Sequence, residues 1–377
     1  MSSDCDAIIL GAGVVGAACA MECAQAGMRV AVVEGGIVGG GATAAGMGHI
    51  VVMDDSPAQL ALTRYSQQLW QGLAPQLPAE AEYETTGTIW VAADDAEMRE
   101  VARKRTLYEA SGLQAHTLDQ QQLLRQEPHL RPGLAGGLLV PSDAVLYPPA
   151  AADFLLKQAF NAGAWLVQQT AVRAGEGTLH LANGDTLTAP RLVNALGAWA
   201  AQITPDVPIL PRKGHLAITD RAPGFVHHQL VELGYVRSAG TGTADSVAFN
   251  VQPRKTGQVL IGSSRQFNSQ DKAIDHQVLQ RMLRQTCSYL PEIDRLSILR
   301  IWTGFRAATP DKLPLIGPHP GDPTLYLATG HEGLGITTAL ATGKLLRHIF
   351  TGSGSQIPVE PYLPSRILAA KTELSNA

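Results

Sequence analysis

The chain has 377 residues, of which 45% are hydrophobic and 16% are charged, and it can therefore bury one large core or two smaller ones. Lysine and arginine total 29 and aspartate and glutamate total 33, which gives a formal net charge of −4. This balance and the lack of a long basic run argue against nucleic acid as a partner.

The cysteines favour neither a metal centre nor a disulfide framework. Cys19 and Cys23 are four residues apart on a predicted helix, so they either ligate a metal together or fill the core as small apolar side chains. We favour the core and expect no metal site, because iron–sulfur clusters usually take four closely grouped thiolates. The lack of a disulfide pattern predicts a cytoplasmic location. Residues 7–20 are apolar but too short and too rich in glycine for a transmembrane segment. No basic run precedes them, which argues against a signal peptide.

The first elements in chain order are a strand, a glycine-rich turn, a helix and a second strand. Residues 6–10 form the apolar strand, and three glycines follow at Gly11, Gly13 and Gly16. In a dinucleotide-binding unit the first glycine allows the tight turn, the second lets a pyrophosphate approach the backbone, and the third lets the helix pack on the sheet. Glu34 ends the second strand, where it would accept hydrogen bonds from a ribose. The pattern predicts dinucleotide binding, and the alternative is a glycine-rich turn in an ordinary α/β unit.

Further along the chain, hydrophobic periodicity predicts helices and strands in alternation. Helices are predicted over residues 14–26, 57–73, 97–111, 151–162, 277–290 and 337–350. Strands are predicted over residues 29–33, 88–92, 166–172, 247–252 and 258–263, with a hairpin over 179–187. Residues 191–199 predict a buried strand, a glycine turn and a new helix, whereas residues 141–149 predict a loop.

Five further segments carry a resemblance to a known family. Besides the opening glycines and Glu34, they are residues 40–47, 194–199, 211–215, 302–311 and 330–336. In this order they make the chain similar, over nearly its whole length, to the glycine oxidase/D-amino acid oxidase (DAO) family of FAD-dependent oxidoreductases. Residues 330–338 look most like the flavin (beta) subunits of heteromeric amine dehydrogenases. That group includes D-hydroxyproline dehydrogenase, opine oxidase and hydrogen cyanide synthase.

The resemblance implies an α/β fold with two domains. A Rossmann-like FAD-binding domain, discontinuous in sequence, would comprise residues 1–80, 145–205 and 302–377. A second, α+β substrate domain built on an antiparallel sheet would comprise residues 81–144 and 206–301. We expect the glycine-rich segments of the first domain to surround the cofactor.

The resemblance also implies FAD as the cofactor, bound without a covalent link. The second glycine segment would pass beside the isoalloxazine ring through Gly41, Ala42, Thr43, Gly46 and Met47. The closing segment would face the N1/C2=O edge of the flavin through Gly330, Gly333, Leu334, Gly335 and Ile336. Because the closing segment precedes a helix, its N–H groups would stabilise negative charge on the reduced flavin. The predicted cofactor set is completed by Gly197 and by the backbone of Val172, which is similar in place to the family's adenine contact.

Arg306 is the predicted anchor for the substrate. In related amine oxidases the matching arginine pairs with the substrate carboxylate, and a planar guanidinium grips a carboxylate through two parallel hydrogen bonds. The alternative is a structural ion pair with Asp311 or Glu332.

His49 and Asn250 complete the predicted catalytic set. His49 follows the flavin-side glycines, where it either contacts the substrate or simply lines the pocket. Covalent attachment of the flavin to His49 is a less favoured third role. His331 either hydrogen-bonds the backbone beside the closing loop, which we favour, or acts in catalysis. We expect Trp302 to belong to the core rather than to the pocket.

Three positions depart from the family pattern. Glycine oxidases carry a second arginine in the closing loop and a tyrosine on the strand before a Pro-Arg-Lys turn, and the corresponding positions here are Gly333 and Asn250. The substrate pocket is therefore predicted to differ from that of glycine oxidase. Gly35 stands where many relatives have a basic residue, which leaves the contact with the adenosine open.

These observations predict FAD-dependent oxidation of the C–N bond of a small amino or imino acid, by hydride transfer from the α-carbon to flavin N5. The resemblance favours D-hydroxyproline, or a similar D-amino or N-substituted amino acid. The alternatives are another flavoprotein oxidoreductase, such as a NAD(P)H-linked monooxygenase, and an FAD-binding assembly subunit without its own activity. Electrons would pass to oxygen, or to partner dehydrogenase subunits that carry an iron–sulfur cluster or a second flavin.

Overall fold

The computed structural model describes residues 4–234, 245–267 and 269–368. Its helices are α1 (Val14–Gln25), α2 (Ala42–Ala45), α3 (Pro57–Leu73), α4 (Asp95–Ala110), α5 (Gln120–Gln126), α6 (Pro148–Asn161), α7 (His276–Tyr289) and α8 (Gly335–Thr351). No helix among these residues combines the length and the apolar composition that crossing a bilayer requires.

The strands form two large sheets and two small ones. In chain order they are β1 (Ala7–Leu10), β2 (Val30–Val33), β3 (His49–Ile50), β4 (Thr88–Ala92), β5 (His116–Asp119), β6 (Gly136–Val140), β7 (Ala144–Val145), β8 (Trp165–Val167), β9 (Ala171–Gly175), β10 (Thr178–Leu181), β11 (Thr186–Thr188), β12 (Leu192–Asn194), β13 (Leu210–Arg221), β14 (Gln229–Glu232), β15 (Ser246–Pro253), β16 (Gln258–Arg265), β17 (Ile298–Ala308), β18 (Leu315–His319) and β19 (Asp322–Thr329).

The first large sheet is the sheet of the α/β unit. Its strand order is β18-β19-β12-β1-β2-β8, and all neighbours pair in parallel except β18 with β19. Strands β1 and β2 consist entirely of buried apolar residues, as expected where both faces of a sheet are covered. Helices α1, α6 and α8 pack on one face, and the small sheet β9-β10-β11 covers the other.

The second large sheet is mostly antiparallel. Its strand order is β17-β13-β16-β15-β14-β4-β6-β5, and β14 pairs with β4 in parallel. Helices α5 and α7 pack on the outer face of this sheet, and α4 packs on the inner face at one end. A parallel α/β sheet with a second sheet of this kind confirms the predicted fold class.

Most of the predicted elements are present, and the exceptions have local causes. The predicted strand over 166–172 is wrong, because it is divided into β8 and β9. Between them Gln168 donates from Nε2 to the carbonyl oxygens of Glu34 and Gly36, at 2.9 and 2.8 Å. The predicted loop over 141–149 contains β7 and the start of α6.

The predicted division into two domains stays a proposal. Strand β17 concerns one of its boundaries, the one at residue 302. The boundary predicted at residue 302 falls inside β17, which pairs with β13 from one end to the other. All of β17 therefore lies in the second sheet.

Helix α1 lies very close to the turn that follows β1. A β-carbon added to Gly16 would lie 1.9 Å from the carbonyl oxygen of Gly11. Gly16 is therefore the position that sets how closely the first helix can approach the sheet.

A buried polar cluster supports the loop that follows β3. Asp143 accepts hydrogen bonds from Val52 N at 3.3 Å and from Gln67 Nε2 at 2.6 Å. Lys104, only 1% exposed, forms an ion pair with Asp54 in the same loop. Burial raises the pKa of Asp143 to about 7, although the hydrogen bonds and Lys104 oppose the rise.

We expect Gly16→Ala to lower the free energy of unfolding by about 3 kcal/mol, because the added methyl group overpacks the contact with the turn. Gly72→Ala is the matched control, since Gly72 also lies in a helix but has no atom within 4 Å of an added β-carbon. The control should be neutral or stabilising by up to about 1 kcal/mol. Urea denaturation measures both, and equal midpoints for the two variants would contradict the close approach.

Asp143→Asn should change how the free energy of unfolding depends on pH. The pKa of Asp143 is about 7 in the folded chain, well above its ordinary value, so its stabilising contribution is complete below about pH 4 and is lost as the pH rises through 7. Between pH 5 and pH 7 the wild type should lose about 2 kcal/mol relative to Asp143→Asn. Urea denaturation at both pH values measures this difference, and parallel pH curves would argue against a neutral buried carboxyl group.

Candidate active site

A cavity of about 500 Å³ lies between the carboxyl edge of the parallel sheet and the inner face of the second sheet. The loops that follow β1, β12 and β19 all open into it, and Gly11, Gly197 and Gly335 are among the residues that line it. Open α/β sheets bind ligands at this edge, because the carboxyl ends of parallel strands meet there. The segments predicted to hold a cofactor therefore converge on one site.

The glycine turn after β1 has the geometry that its sequence predicts. Gly11 has a φ of +101°, a conformation that glycine adopts without strain. Gly13 precedes the first residue of α1, and a β-carbon there would meet only Thr43 Oγ1, at 3.3 Å. Thr43 Oγ1 also accepts a hydrogen bond from Val14 N at 3.0 Å. The positive end of the α1 dipole thus faces the cavity beside backbone that a phosphate can approach.

Glu34 is fixed at the cavity wall by the backbone on both sides of it. Its Oε2 accepts a hydrogen bond from Ala12 N at 2.9 Å, and its Oε1 accepts one from Gly36 N at 2.7 Å. Each carboxylate oxygen has a second lone pair. Glu34 can therefore accept further hydrogen bonds from a hydroxyl-bearing ligand.

The second glycine segment and the closing loop meet at the cavity. Residues 40–47 line one wall, and a β-carbon on Gly46 would lie 2.7 Å from Ile336 Cδ1. The carbonyl oxygen of Met47 accepts a hydrogen bond from Gln252 Nε2 at 2.7 Å, which ties this segment to the second sheet. Ile336 lies in the first turn of α8, where backbone N–H groups have no acceptor within the helix. A second helix N-terminus therefore borders the cavity. Leu334, the residue before α8, lines it as well.

Arg306 extends from β17 into the cavity beside the closing loop. Its Nη1 donates a hydrogen bond to the carbonyl oxygen of Ser264 at 2.9 Å. A β-carbon on Gly214 would lie 2.4 Å from Arg306 Nη1, and one on Gly333 would lie 3.5 Å from Arg306 Nε. Gly214 therefore makes room for the guanidinium group that is predicted to bind the substrate carboxylate, whereas a β-carbon on Gly333 would make an ordinary van der Waals contact with it.

The two carboxylates considered as alternative partners have arginine partners of their own. Asp311 pairs with Arg366 at 2.7 Å. Glu332 pairs with Arg212 at 3.2 Å, and its Oε1 lies 3.8 Å from Arg265 Nε. Both partners of Glu332 belong to the second sheet, so these contacts hold the closing loop against that sheet.

His49 lies on β3 and lines the cavity as a neutral ring. Its Nε2 is 3.3 Å from the carbonyl oxygen of Gly333, and because a carbonyl only accepts, Nε2 carries the proton and Nδ1 presents a lone pair. Burial lowers the pKa of His49 to about 4, and the charge of Arg306 acts in the same direction. Nδ1 is buried and has no hydrogen-bond partner within the described part of the chain. His49 therefore offers an acceptor to a ligand at neutral pH.

Asn250 lies on β15 and lines the same wall. Its Oδ1 accepts a hydrogen bond from Nε2 of Gln229, on the neighbouring strand β14, at 3.5 Å. The structure thus brings all three predicted catalytic residues to one cavity. It adds Gln229, which sequence reasoning missed because the residue follows no recognisable motif.

Three of the predicted cofactor residues, all within the described ranges, lie outside the cavity lining: Gly16, Val172 and Gly330. Gly16 lies within α1 and packs against the turn at Gly11, and Gly330 adopts a φ of +81° at the start of the closing loop. Val172 is 55% exposed on β9.

Trp302 packs against the small core cluster of Met47, Leu216 and Leu260, as expected, and it lines the cavity as well. It does so because alternate residues of β17 face the same way and Trp302 shares the face of Arg306. Its Nε1 donates to the carbonyl oxygen of Ala45 at 3.4 Å. His331 pairs with the Thr342 hydroxyl at 2.9 Å rather than with the backbone, and burial lowers its pKa to about 3.

The cavity suits a long ligand with a phosphate group and a ribose. Two helix N-termini border it, open backbone lies at Gly13, and a carboxylate with spare acceptor capacity lies at Glu34. These are the features that a flavin adenine dinucleotide requires of an α/β unit.

Comparison with known proteins agrees with the geometry. Residues 6–349 match the family described as DAO, FAD dependent oxidoreductase. The chain is 28% identical to the glycine oxidase of Pseudomonas aeruginosa, over 95% of this chain and 98% of that one. It is 26% identical to the hydrogen cyanide synthase subunit HcnC of the same species, over 97% of each chain. The crystal structure of L-proline dehydrogenase from P. horikoshii shares the fold, with a TM-score of 0.88 at 22% identity over 98% of this chain and 99% of that one.

The family match spans most of the chain, and the relatives are covered almost from end to end. The protein belongs to the DAO family of FAD-dependent oxidoreductases, and it is an FAD-dependent enzyme that acts on the C–N bond of an amino acid or amine.

Proposed function

We propose that the enzyme oxidises a small amino or imino acid at its α-carbon, and that the substrate is D-hydroxyproline or a similar D-amino or N-substituted amino acid. The observation that carries the proposal is the position of Arg306, whose guanidinium lies beside Gly214 and the neutral ring of His49 in a cavity that Arg212, Arg265 and Glu332 also line. This arrangement suits a small molecule with one carboxylate and an adjacent amine.

FAD would be held by its adenosine and pyrophosphate at Gly11, Gly13 and Glu34, and by its flavin at residues 41–47 and 333–336. Bound FAD supplies the acceptor for the hydride of the substrate. The N-terminus of α8 stabilises negative charge placed beside it, because its first-turn N–H groups and its dipole face the cavity.

Arg306 binds and orients the substrate in this proposal. Two parallel hydrogen bonds to the carboxylate fix the plane of that group, which limits the positions that the α-carbon can take. Fixing the orientation in this way lowers the barrier without a dedicated general base. Gly214 supports the role, because a side chain there would occupy the space of the guanidinium.

His49 would make a second polar contact with the substrate, beside the contact of Arg306 with the carboxylate. Its Nδ1 lone pair would accept a hydrogen bond from the N–H of the substrate amine, while Nε2 holds the ring to Gly333. The pKa of about 4 keeps the ring neutral above about pH 5, so this acceptor is present throughout the neutral range. Asn250, on the same wall, is the third residue that we propose to contact the substrate.

The relatives support an amino acid as the substrate, and the sequence favours one other than glycine. One relative is named a glycine oxidase. Gly333 and Asn250 stand where the family resemblance expects an arginine and a tyrosine in glycine oxidases, so a substrate other than glycine is favoured.

One relative of this chain is a subunit of a larger enzyme. HcnC, which is covered over 97% of its length, is named a subunit of hydrogen cyanide synthase. We propose that this chain likewise works beside other dehydrogenase subunits, which would take electrons from its flavin.

Anaerobic mixing of the FAD-loaded protein with amino and imino acids tests the proposal. D-hydroxyproline or a similar compound should bleach the visible absorbance of oxidised flavin, and Arg306→Ala should lower kcat/KM for it by about a hundredfold or more while FAD content stays unchanged. Arg306→Lys should lower kcat/KM by a smaller factor, because lysine keeps the positive charge but cannot form the paired hydrogen bonds.

Arg284→Ala is the control, since Arg284 is exposed on α7 and outside the cavity lining. It should leave kcat/KM unchanged. The proposal is overturned if NAD(P)H reduces the flavin and no amino or imino acid does. The role of Arg306 is overturned if its variants lose FAD but keep full turnover per bound flavin.

A further inference from the structure

We propose that Gln229 and Trp90 form a subsite for a hydroxyl group on the substrate, separate from the groups that bind its carboxylate and amine. The inference rests on the proposed function, because it takes the cavity to bind an amino or imino acid. It adds the chemical group that distinguishes one such substrate from another.

The two side chains lie on neighbouring strands and face the same cavity. Strands β14 and β4 pair in parallel, with Gln229 opposite Thr88 and Val231 opposite Trp90. All four line the cavity, as alternate residues on one face of a sheet should. Gln229 and Trp90 are therefore diagonal neighbours, a separation that long and aromatic side chains can bridge.

Each of the two residues carries a buried polar atom that the protein leaves unpaired. Gln229 and Trp90 are both only 2% exposed. Within the described residues, Gln229 Oε1 and Trp90 Nε1 have no hydrogen-bond partner. Native structures rarely leave buried polar atoms unpaired, and a ligand that pairs them removes that cost.

The unpaired atoms are one acceptor and one donor. Gln229 Nε2 donates to Asn250 Oδ1 at 3.5 Å, which leaves the carbonyl oxygen of Gln229 as the free acceptor. The indole N–H of Trp90 can only donate. A ligand hydroxyl satisfies both, because its oxygen accepts from Trp90 and its proton goes to Gln229. A carboxylate would face the carbonyl of Gln229, an ammonium would face the N–H of Trp90, and a methylene group would leave both atoms unpaired.

The position of this subsite suits a small substrate that is anchored on Arg306. The guanidinium reaches Ser264 on β16, and the amide of Gln229 reaches Asn250 on β15. Strands β16 and β15 are adjacent, and Asn250 pairs with Gly262, two residues from Ser264 along β16. With strands about 4.8 Å apart and about 3.3 Å per residue, the two contact points are roughly 8 Å apart. A single small amino acid can bridge that distance through a hydrogen bond at each end.

The test compares the hydroxylated and unsubstituted forms of one substrate, D-hydroxyproline and D-proline, on the FAD-loaded enzyme. The wild type should have a kcat/KM at least about tenfold higher for the hydroxylated form, because an unpaired buried site discriminates against a ligand without the group. Gln229→Met removes the acceptor at similar length, and Trp90→Phe removes the donor and keeps a ring.

Each variant should lower the ratio of kcat/KM for D-hydroxyproline to kcat/KM for D-proline about tenfold. The ratio is used because Gln229→Met also removes the hydrogen bond to Asn250, and that loss affects both substrates alike. Trp165→Phe is the control, since Trp165 lies on β8 outside the cavity lining, and it should change neither value. The two variants remove different halves of the subsite, so either one decides the question if the other fails to load FAD.

The subsite is overturned if the wild type does not prefer the hydroxylated form, or if a variant that keeps its FAD loses activity equally on both substrates. Equal loss would indicate a structural role for Gln229 and Trp90. These results differ from failure of the proposed function, in which no amino or imino acid reduces the wild-type flavin at all.

Discussion

The site depends on the parallel arrangement of three neighbouring strands. Strand β12 lies between β1 and β19, and all three run in the same direction, so the loops that follow them open at one edge of the sheet. Two of these loops lead into α1 and α8, whose N-termini border the same cavity. The dipoles of both helices make that cavity favourable for negative charge, and the small residues of the loops keep the backbone accessible.

The second sheet supplies side chains of varied chemistry, which the glycine loops lack. Arg306, Asn250, Gln229 and Trp90 all come from its inner face. The first sheet can therefore keep one cofactor-binding frame while changes on the second alter the substrate.

How much the sequence predicts depends on how local the determinant is. Gly11, Gly16 and Glu34 are recognisable because their roles follow from spacing within a single strand-turn-helix unit. Arg306 has no such local signal, and it was predicted only through the resemblance of its segment to a family. The sequence also does not show that Val172 lies exposed on β9, outside the cavity lining.

Other features depend on strand pairing, which the sequence does not show. Hydrophobic alternation predicts that residues 88–92 form a strand, but it does not show which face of that strand borders a cavity. For the same reason the sequence does not show that Trp302 lines the cavity in addition to packing against the core. Gln229 and Trp90 are far apart in the chain, and only the parallel register of β14 and β4 brings them together.

A crystal structure of the FAD-loaded protein with an unreactive amino acid analogue is the most direct test of the central claim. The account predicts the flavin between residues 41–47 and the closing loop, the carboxylate of the analogue on Arg306 through two hydrogen bonds, and its amine near His49 Nδ1. A nicotinamide nucleotide bound in this cavity, or a carboxylate bound away from Arg306, would contradict it.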